Sequence, residues 1–137
     1  MTASEHVNQT IVVADDDVDI CDLVEMLLSR LGFRVLTAHD GRTALALIID
    51  EAPCLAILDV MMPVMDGFEV VRALRSHPEI AATRIILFSA KSRGGDTAFM
   101  KKQQVDDYIA KPFSPANLAQ RVLDLLAVEG DPQDGGR

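Results

Sequence analysis

Five side chains that can bind a metal ion or a phosphate group each stand at or just after the end of a short apolar run. They comprise three carboxylates, one hydroxyl and one ammonium group: Asp15, Asp16, Asp59, Ser89 and Lys111. In the stretch LDVMMPVMDG, for example, Asp59 closes the apolar run 55–58. Removing a charge from water is costly, so an acid at the mouth of a buried strand needs a chemical explanation.

Phosphoryl transfer is the chemistry that uses these groups together. Carboxylates brought close to one another repel by ~4 kcal/mol per pair at an effective dielectric constant of about 20. A cation offsets that repulsion, and Mg²⁺ prefers oxygen ligands from one or two carboxylates and several waters. Positioning and charge neutralisation do most of the catalysis of phosphoryl transfer. Asp59 is therefore interpreted as a carboxylate nucleophile.

Alternating strands and helices are predicted to bring the five side chains together. Apolar strand segments are predicted at 10–14, 34–38, 54–58, 84–90 and 107–110. Each is followed by apolar residues at helical spacing, which predicts an α/β fold with a doubly wound, five-stranded parallel sheet and five helices. Functional residues of such sheets gather outside the carboxyl ends of the strands, so the five side chains should share one rim.

Turn and cap residues support the helix boundaries. Gly32 is expected to end the first helix. Asp66 and Glu69 have the spacing of a capping box at the start of the third. Ser114 and Pro115 supply an N-cap and a proline at the first position of the last helix. A fourth helix, with a weaker apolar pattern than the others, is predicted over roughly 95–103.

Composition excludes several functional classes. A chain of 137 residues with 49% hydrophobic residues suits one domain with one core. The net charge of −8 argues against a nucleic-acid surface, which needs clusters of Lys and Arg. No apolar run approaches the ~20 residues of a membrane span, and the N-terminus has no apolar signal region, so a cytoplasmic protein is expected. Two cysteines and three histidines form no metal set: Cys21, Cys54, His6, His39 and His77.

Four motifs together resemble the receiver domains of response regulators, the CheY-like half of two-component signalling. They are VVADDD, ILDVMMPVMDG, LFSAK and YIAKPF, in the order and at the spacing of that family. The resemblance covers roughly residues 8–128 and implies the sheet order 2-1-3-4-5. Residues 1–7 are then expected to be an N-terminal tail and residues 129–137 a disordered C-terminal tail.

The resemblance implies a metal site at the phosphoacceptor. Asp59 would accept a phosphoryl group from a phosphohistidine. Asp15 and Asp16 would hold Mg²⁺ with Asp59, Asp16 as a direct ligand and Asp15 acting more through water. The backbone carbonyl of Met61 would be a further ligand.

Other positions match the family's phosphate-binding and switching residues. Ser89 would hydrogen-bond one phosphoryl oxygen and Lys111 would pair with another. Tyr108 matches the switch aromatic, which turns inward as Ser89 moves toward the phosphate, although an ordinary edge-strand tyrosine with a wet hydroxyl is an alternative. The Lys111–Pro112 bond is often cis in the family. Met61 and Lys91 are expected to overhang the approach of water to Asp59 and so to lengthen the lifetime of the phosphorylated form.

The implied partners are a sensor histidine kinase or histidine phosphotransfer protein and a downstream protein. The latter would bind the face made by the fourth helix, the fifth strand and the last helix, with no direct contact with nucleic acid or membrane. The chain would catalyse only its own phosphotransfer and autodephosphorylation. The short polar tail favours a switch without an output domain of its own over the receiver fragment of a longer regulator with a DNA-binding or enzymatic output.

A haloacid-type phosphatase is an alternative that also uses an aspartyl nucleophile. The nucleophile of that class lies in an Asp-x-Asp motif, whereas Asp59 is followed by Val60-Met61.

The chain departs from the receiver family at the end of the fourth helix. Many members have Gly-Ala where this chain has Gln104-Val105. A glycine there ends the helix by taking positive φ, which Gln does less easily, so the fourth helix is expected to differ in its course from that of the family.

Overall fold

Five short apolar segments pair as parallel strands in a computed structural model that describes residues 9–80, 82–90 and 101–129. The strands are β1 (Thr10–Ala14), β2 (Arg34–Ala38), β3 (Leu55–Asp59), β4 (Arg84–Ser89) and β5 (Asp107–Ala110). Their order in the sheet is β2-β1-β3-β4-β5. The predicted α/β class and strand order are confirmed. Relative to the prediction, β3 begins and ends one residue later, and β4 ends one residue earlier.

Strand register decides which side chains meet at the carboxyl edge of the sheet. Ala14 of β1 lies opposite Leu58 of β3, so the residues that follow them, Asp15 and Asp59, are neighbours on adjacent strands. On the other side of β3, Asp59 lies opposite Phe88 of β4. The central strands are buried on both faces, as parallel strands covered by helices must be.

Helices cover both faces of the sheet. They are α1 (Val18–Arg30), α2 (Gly41–Glu51), α3 (Gly67–Arg75), α4, of which residues 101–103 are described, and α5 (Pro115–Glu129), with a short 3₁₀ turn at Pro78–Ile80. Residues of α1 and α5 pack with one set of alternating strand side chains, and residues of α2 and α3 pack with the other set. The period of two along each strand divides the apolar residues between two cores.

The predicted helix ends are present. The Asp66 carboxylate accepts from the Glu69 N–H at 2.9 Å, and the Glu69 carboxylate accepts from the Asp66 N–H at 2.8 Å, which completes the capping box. Asp17 caps α1, and Gly32 after it has a φ of 99°. The Ser114 hydroxyl accepts from a backbone N–H in the first turn of α5 at 3.2 Å.

The end of α4 shows how a residue other than glycine is accommodated. Gln104 has a φ of 62°, the left-handed conformation for which a glycine is expected. The guanidinium group of Arg75, at the end of α3, donates to the Gln104 carbonyl from Nε at 3.2 Å and from Nη2 at 2.9 Å. It also donates from Nη1 to the Thr83 carbonyl at 3.0 Å. These bonds hold the α4–β5 junction against α3 and β4.

Several predictions fall outside the described residues or are refined within them. The start of α4, with Gly94 and Gly95, and the positions of Lys91 and His6 lie outside the described residues, as do residues 1–7 and 130–137 of the predicted tails. Neither of the two histidines that are described belongs to the acid cluster. Both are expected at the surface, but His77 is half-buried, and its Nδ1 lies 3.0 Å from the carbonyl of Ala73.

Neither cysteine forms a disulfide, and both serve packing. Cys21 lies on the inner side of α1 and is buried in the core, and Cys54 is half-buried just before β3. Burial and the charge of Asp15 raise the pKa of the Cys21 thiol to about 11, which keeps it protonated at neutral pH. Among the described helices, none has both the length and the apolar character needed to cross a membrane.

Candidate functional site

Three carboxylates converge at the carboxyl edge of the sheet. Asp15 and Asp16 follow β1, and Asp59 is the last residue of β3. One oxygen from each lies within 4.8 Å of the others. Asp15 is fully buried and Asp59 is 5% exposed, whereas Asp16 is open to solvent. The structure thus brings together the acids that the sequence placed at two strand ends.

Lys111 supplies the positive charge of the cluster. Its Nζ lies 2.9 Å from Asp15 Oδ2 and 3.5 Å from Asp59 Oδ2. The residue follows β5, its backbone N–H donates to the Ser89 carbonyl at 2.8 Å, and the bond to Pro112 is cis. The end of β5 therefore aims the ammonium group across β4 at the acids of β1 and β3.

The site carries a net negative charge. Three carboxylates and one ammonium group leave two formal negative charges. Burial, and next the charge of Asp15, raise the pKa of Asp59 to about 6, although Lys111 and the Met61 N–H act in the opposite direction. Burial alone would lower the pKa of Lys111, but its contacts with Asp15 and Asp59 raise it overall. A divalent cation bound by oxygen ligands fits the excess charge and the donor set.

Backbone groups orient the acids. The Asp17 N–H donates to Asp15 Oδ1 at 2.9 Å, which fixes that carboxylate at the end of β1. The Met61 N–H donates to the Asp59 carboxylate. The side chain of Met61 is 71% exposed, whereas that of the next residue, Met62, is 8% exposed. Met62 therefore anchors the β3–α3 loop in the core, and Met61 projects into solvent.

Ser89 and Tyr108 take up the positions expected of them in the fold. Ser89 is the last residue of β4, on the same rim as Asp59, and it is 7% exposed. Tyr108 lies on β5 and is 5% exposed, with its side chain in the core on the face of α2 and α3. The switching role of Tyr108, and the alternative of an ordinary edge-strand tyrosine with a wet hydroxyl, both stay predictions.

Two glycines that the sequence analysis did not single out shape the loop after Asp59. A Cβ at Gly67 would lie 2.6 Å from the Asp59 carbonyl oxygen, and the Gly67 N–H donates to the Val60 carbonyl at 2.9 Å. A Cβ at Gly41 would lie 1.9 Å from the carbonyl oxygen of Met65. Both glycines belong to an Asp-Gly pair, at 40–41 and at 66–67, which is a visible turn signal, but nothing local marks the contact of Gly41 with a distant loop.

Comparison with known proteins agrees with this arrangement. A family model described as "Response regulator receiver domain" matches residues 11–123. The transcriptional regulatory protein GltR of Pseudomonas aeruginosa is 41% identical over 118 residues, which are 86% of this chain and 49% of that protein. The alkaline phosphatase synthesis transcriptional regulatory protein PhoP of Bacillus subtilis is 39% identical over 119 residues, 87% of this chain and 49% of that protein. The chain spans about half the length of the curated relatives it matches.

Solved structures give the same picture. The chemotaxis response regulator CheY4 of Vibrio cholerae has a TM-score of 0.78 and 31% identity, covering 85% of this chain and 97% of that one. DrrB, an OmpR/PhoB homologue of Thermotoga maritima, has a TM-score of 0.76 and 34% identity, covering 88% of this chain and 54% of that one.

Proposed function

Because the chain belongs to the response regulator receiver domain family, we propose that Asp59 is its phosphoacceptor and that phosphorylation switches its binding to a partner protein. The phosphodonor is a phosphohistidine on a sensor histidine kinase or a histidine phosphotransfer protein. One observation carries the proposal: a nearly buried carboxylate lies within a cluster of acids, 3.5 Å from the Lys111 ammonium group. The same surroundings raise its pKa, as expected for a reactive acid.

Magnesium is the cofactor of this proposal. Asp16, Asp59 and the Met61 carbonyl would be its direct protein ligands, and Asp15 would act more through water. The donors are all oxygens and the cluster carries excess negative charge, which suits a hard divalent cation. When bound, Mg²⁺ would offset the repulsion between the acids and an anionic phosphoryl group.

The residues of the chain then have distinct parts in the transfer. A carboxylate oxygen of Asp59 forms a bond to phosphorus as the bond between phosphorus and the donor's imidazole nitrogen breaks. The Lys111 ammonium group pairs with one phosphoryl oxygen, and the Ser89 hydroxyl donates a hydrogen bond to another. Tyr108, which lies buried on β5, transmits the change to the face of α4, β5 and α5. The chain catalyses only its own phosphorylation and the later loss of the phosphoryl group.

Two outputs remain compatible with this switch. The phosphorylated domain either binds a downstream protein at the face of α4, β5 and α5, or controls a further domain of a longer regulator. The second output is supported by the relatives, since proteins named as transcriptional regulators extend to about twice the length of the matching region. A DNA-binding activity would then reside in that further domain and not on the acidic receiver.

A matched pair of acids tests the role of the metal. Asp16→Asn should weaken Mg²⁺ binding and slow labelling by acetyl phosphate, because it removes a ligand. Asp17→Asn removes the same charge one residue away from the cluster and keeps the cap of α1, since Asn caps as well as Asp. It should label like the wild type. Labelling that is insensitive to a chelator, or equal loss in both variants, would contradict the proposal.

A further inference from the structure

The loop between β3 and α3 contains a strained turn. The Met65 N–H donates to the Pro63 carbonyl at 2.8 Å, a bond that spans three residues and defines a γ-turn. Its central residue, Val64, has a φ of 74°. This conformation is rare for a β-branched residue, and the Val64 side chain is 69% exposed, so packing of that side chain does not hold the turn. The turn must be held from outside.

The start of α2 lies against this turn. A Cβ at Gly41 would lie 1.9 Å from the Met65 carbonyl oxygen and 2.5 Å from its Cβ. The Gly41 N–H also donates to the Pro63 carbonyl at 3.4 Å. This carbonyl therefore accepts one hydrogen bond from α2 and one from Met65 within the turn. The closest atom belongs to the backbone, and no change of rotamer could relieve the clash. Only glycine permits this approach.

A second glycine closes the base of the loop. The Gly67 N–H donates to the Val60 carbonyl at 2.9 Å, and a Cβ at Gly67 would meet the Asp59 carbonyl oxygen at 2.6 Å. The loop is therefore held at its base by the start of α3 and at its turn by the start of α2. Between these contacts lies Met61, whose N–H donates to the Asp59 carboxylate.

We propose that Gly41 is a positioning residue for the phosphoacceptor loop. Its missing side chain lets α2 press on the turn at Pro63–Met65, and this contact holds the Met61 backbone at the acid cluster. The effect on magnesium and on phosphorylation rests on the function proposed above, whereas the effect on the loop does not. Gly41 touches no reacting group and acts through the loop alone.

Gly41→Ala is the direct test. Alanine is the better helix residue, so a purely local effect would leave the protein unchanged or more stable. The proposal instead predicts faster amide exchange at Met65 in the metal-free protein and an affinity for Mg²⁺ that is about tenfold lower or worse, since small displacements of a site are costly. Circular dichroism confirms that the variant is folded before either measurement is made.

The reverse exchange on the same helix is the matched control. Ala46 lies on the exposed face of α2, away from the loop. Ala46→Gly should lower the melting temperature but leave Mg²⁺ affinity and Met65 exchange as in the wild type. If Ala46→Gly lowers the affinity as much as Gly41→Ala, or if folded Gly41→Ala keeps wild-type affinity and exchange, the proposal is overturned.

A second background covers the case in which Gly41→Ala does not fold. Val64→Gly removes the strain of a β-branched residue at positive φ and so offsets part of the stability that the clash at position 41 removes. The double variant is then compared with Val64→Gly alone. Faster Met65 exchange and weaker Mg²⁺ binding in the double variant support the proposal, and equal values overturn it. A wild type that binds no Mg²⁺ would sink the proposed function, while the metal-free exchange comparison would still decide the role of Gly41.

Discussion

Asp59 carries its negative charge at a cost in the metal-free protein. Its pKa of about 6 lies above the ordinary 3.8, so the fold favours the protonated carboxyl. Replacing Asp59 with Asn should therefore raise the free energy of unfolding at pH 7 by about 1–2 kcal/mol. This figure is below the ~3 kcal/mol that such a shift represents, because water reaches the rim. Urea unfolding in the presence of a chelator measures the gain.

The pH dependence has a defined sign. Relative to Asp59→Asn, the wild type should gain stability as the pH falls through 6 toward 4, because the folded state takes up a proton before the unfolded state does. Asp66→Asn is the control, since Asn preserves the cap of α3 and the residue lies outside the acid cluster. A variant at Asp59 that is less stable than the wild type at pH 7 without metal would contradict this account.

Met61 should lengthen the lifetime of the phosphorylated form. Its side chain, two residues after Asp59, is exposed, and a thioether cannot orient a water molecule usefully for attack on phosphorus. Met61→Asn should speed the loss of phosphate but leave Mg²⁺ affinity nearly unchanged, because only the backbone carbonyl would bind the metal. Decay of phosphorylated protein after removal of the donor gives the rate. Met26→Asn, at an exposed methionine of α1, is the control, and equal decay of the two variants would show that the lifetime is set elsewhere.

Individual site residues could be predicted where a charged side chain stood at the end of an apolar strand. Carboxylates after apolar strands pointed to the rim, and the parallel topology then implied that Asp15, Asp59 and Lys111 would meet. Gly41 was not predictable in this way, because its constraint comes from the backbone of Met65, which is distant in sequence. A glycine near a helix start has many ordinary explanations, and only the folded structure shows what a side chain would strike.

At the scale of elements, Arg75 connects α3 to the end of α4. Its side chain is 16% exposed and its guanidinium group donates to the carbonyls of Gln104 and Thr83. Arg75→Lys should lower the free energy of unfolding by about 1–2 kcal/mol, because an ammonium group cannot reproduce the planar fork. Arg72→Lys, on the exposed side of the same helix, should change it little in the same denaturant titration. If both variants are equally stable, the guanidinium group of Arg75 does not stabilise the connection between α3 and α4.

The α4 helix should be the least protected element of the fold. Gly94 and Gly95 each cost a helix ~1 kcal/mol relative to Ala, and elements of low stability are those that move in switching. Hydrogen exchange should show α4 opening first and becoming more protected on phosphorylation. Faster exchange in α1 or α5 than in α4 would refute the prediction.

Element boundaries were predicted to within a residue where a cap or a strand end carried a chemical signal. The Asp66–Glu69 capping box and the start of α5 at Pro115 are cases of this kind. The prediction did not foresee how Gln104 would be accommodated. A single sequence shows that the residue is unfavourable at positive φ, but it does not show that Arg75 of another helix binds the carbonyl there.

For the whole molecule, alternation of strands and helices was sufficient to predict the architecture. Right-handed crossovers between parallel strands leave few ways to arrange five units, and the resemblance to receiver domains selected the observed order. The same topology explains why acids from β1 and β3 meet a lysine from β5, since all parallel strands end at one edge. The topology does not specify a partner or an output, and the curated relatives extend to about twice the length of the region that they share with this chain.

The most direct test of the account is to map the phosphoryl group after incubation with acetyl phosphate and Mg²⁺. Reduction of the acyl phosphate with borohydride converts a phosphorylated aspartate to homoserine, which mass spectrometry of the digested protein locates. The account predicts homoserine at position 59 alone, none when a chelator is present, and none in Asp59→Asn, while Asp66→Asn labels like the wild type. Label at another residue, or undiminished label in Asp59→Asn, would contradict it.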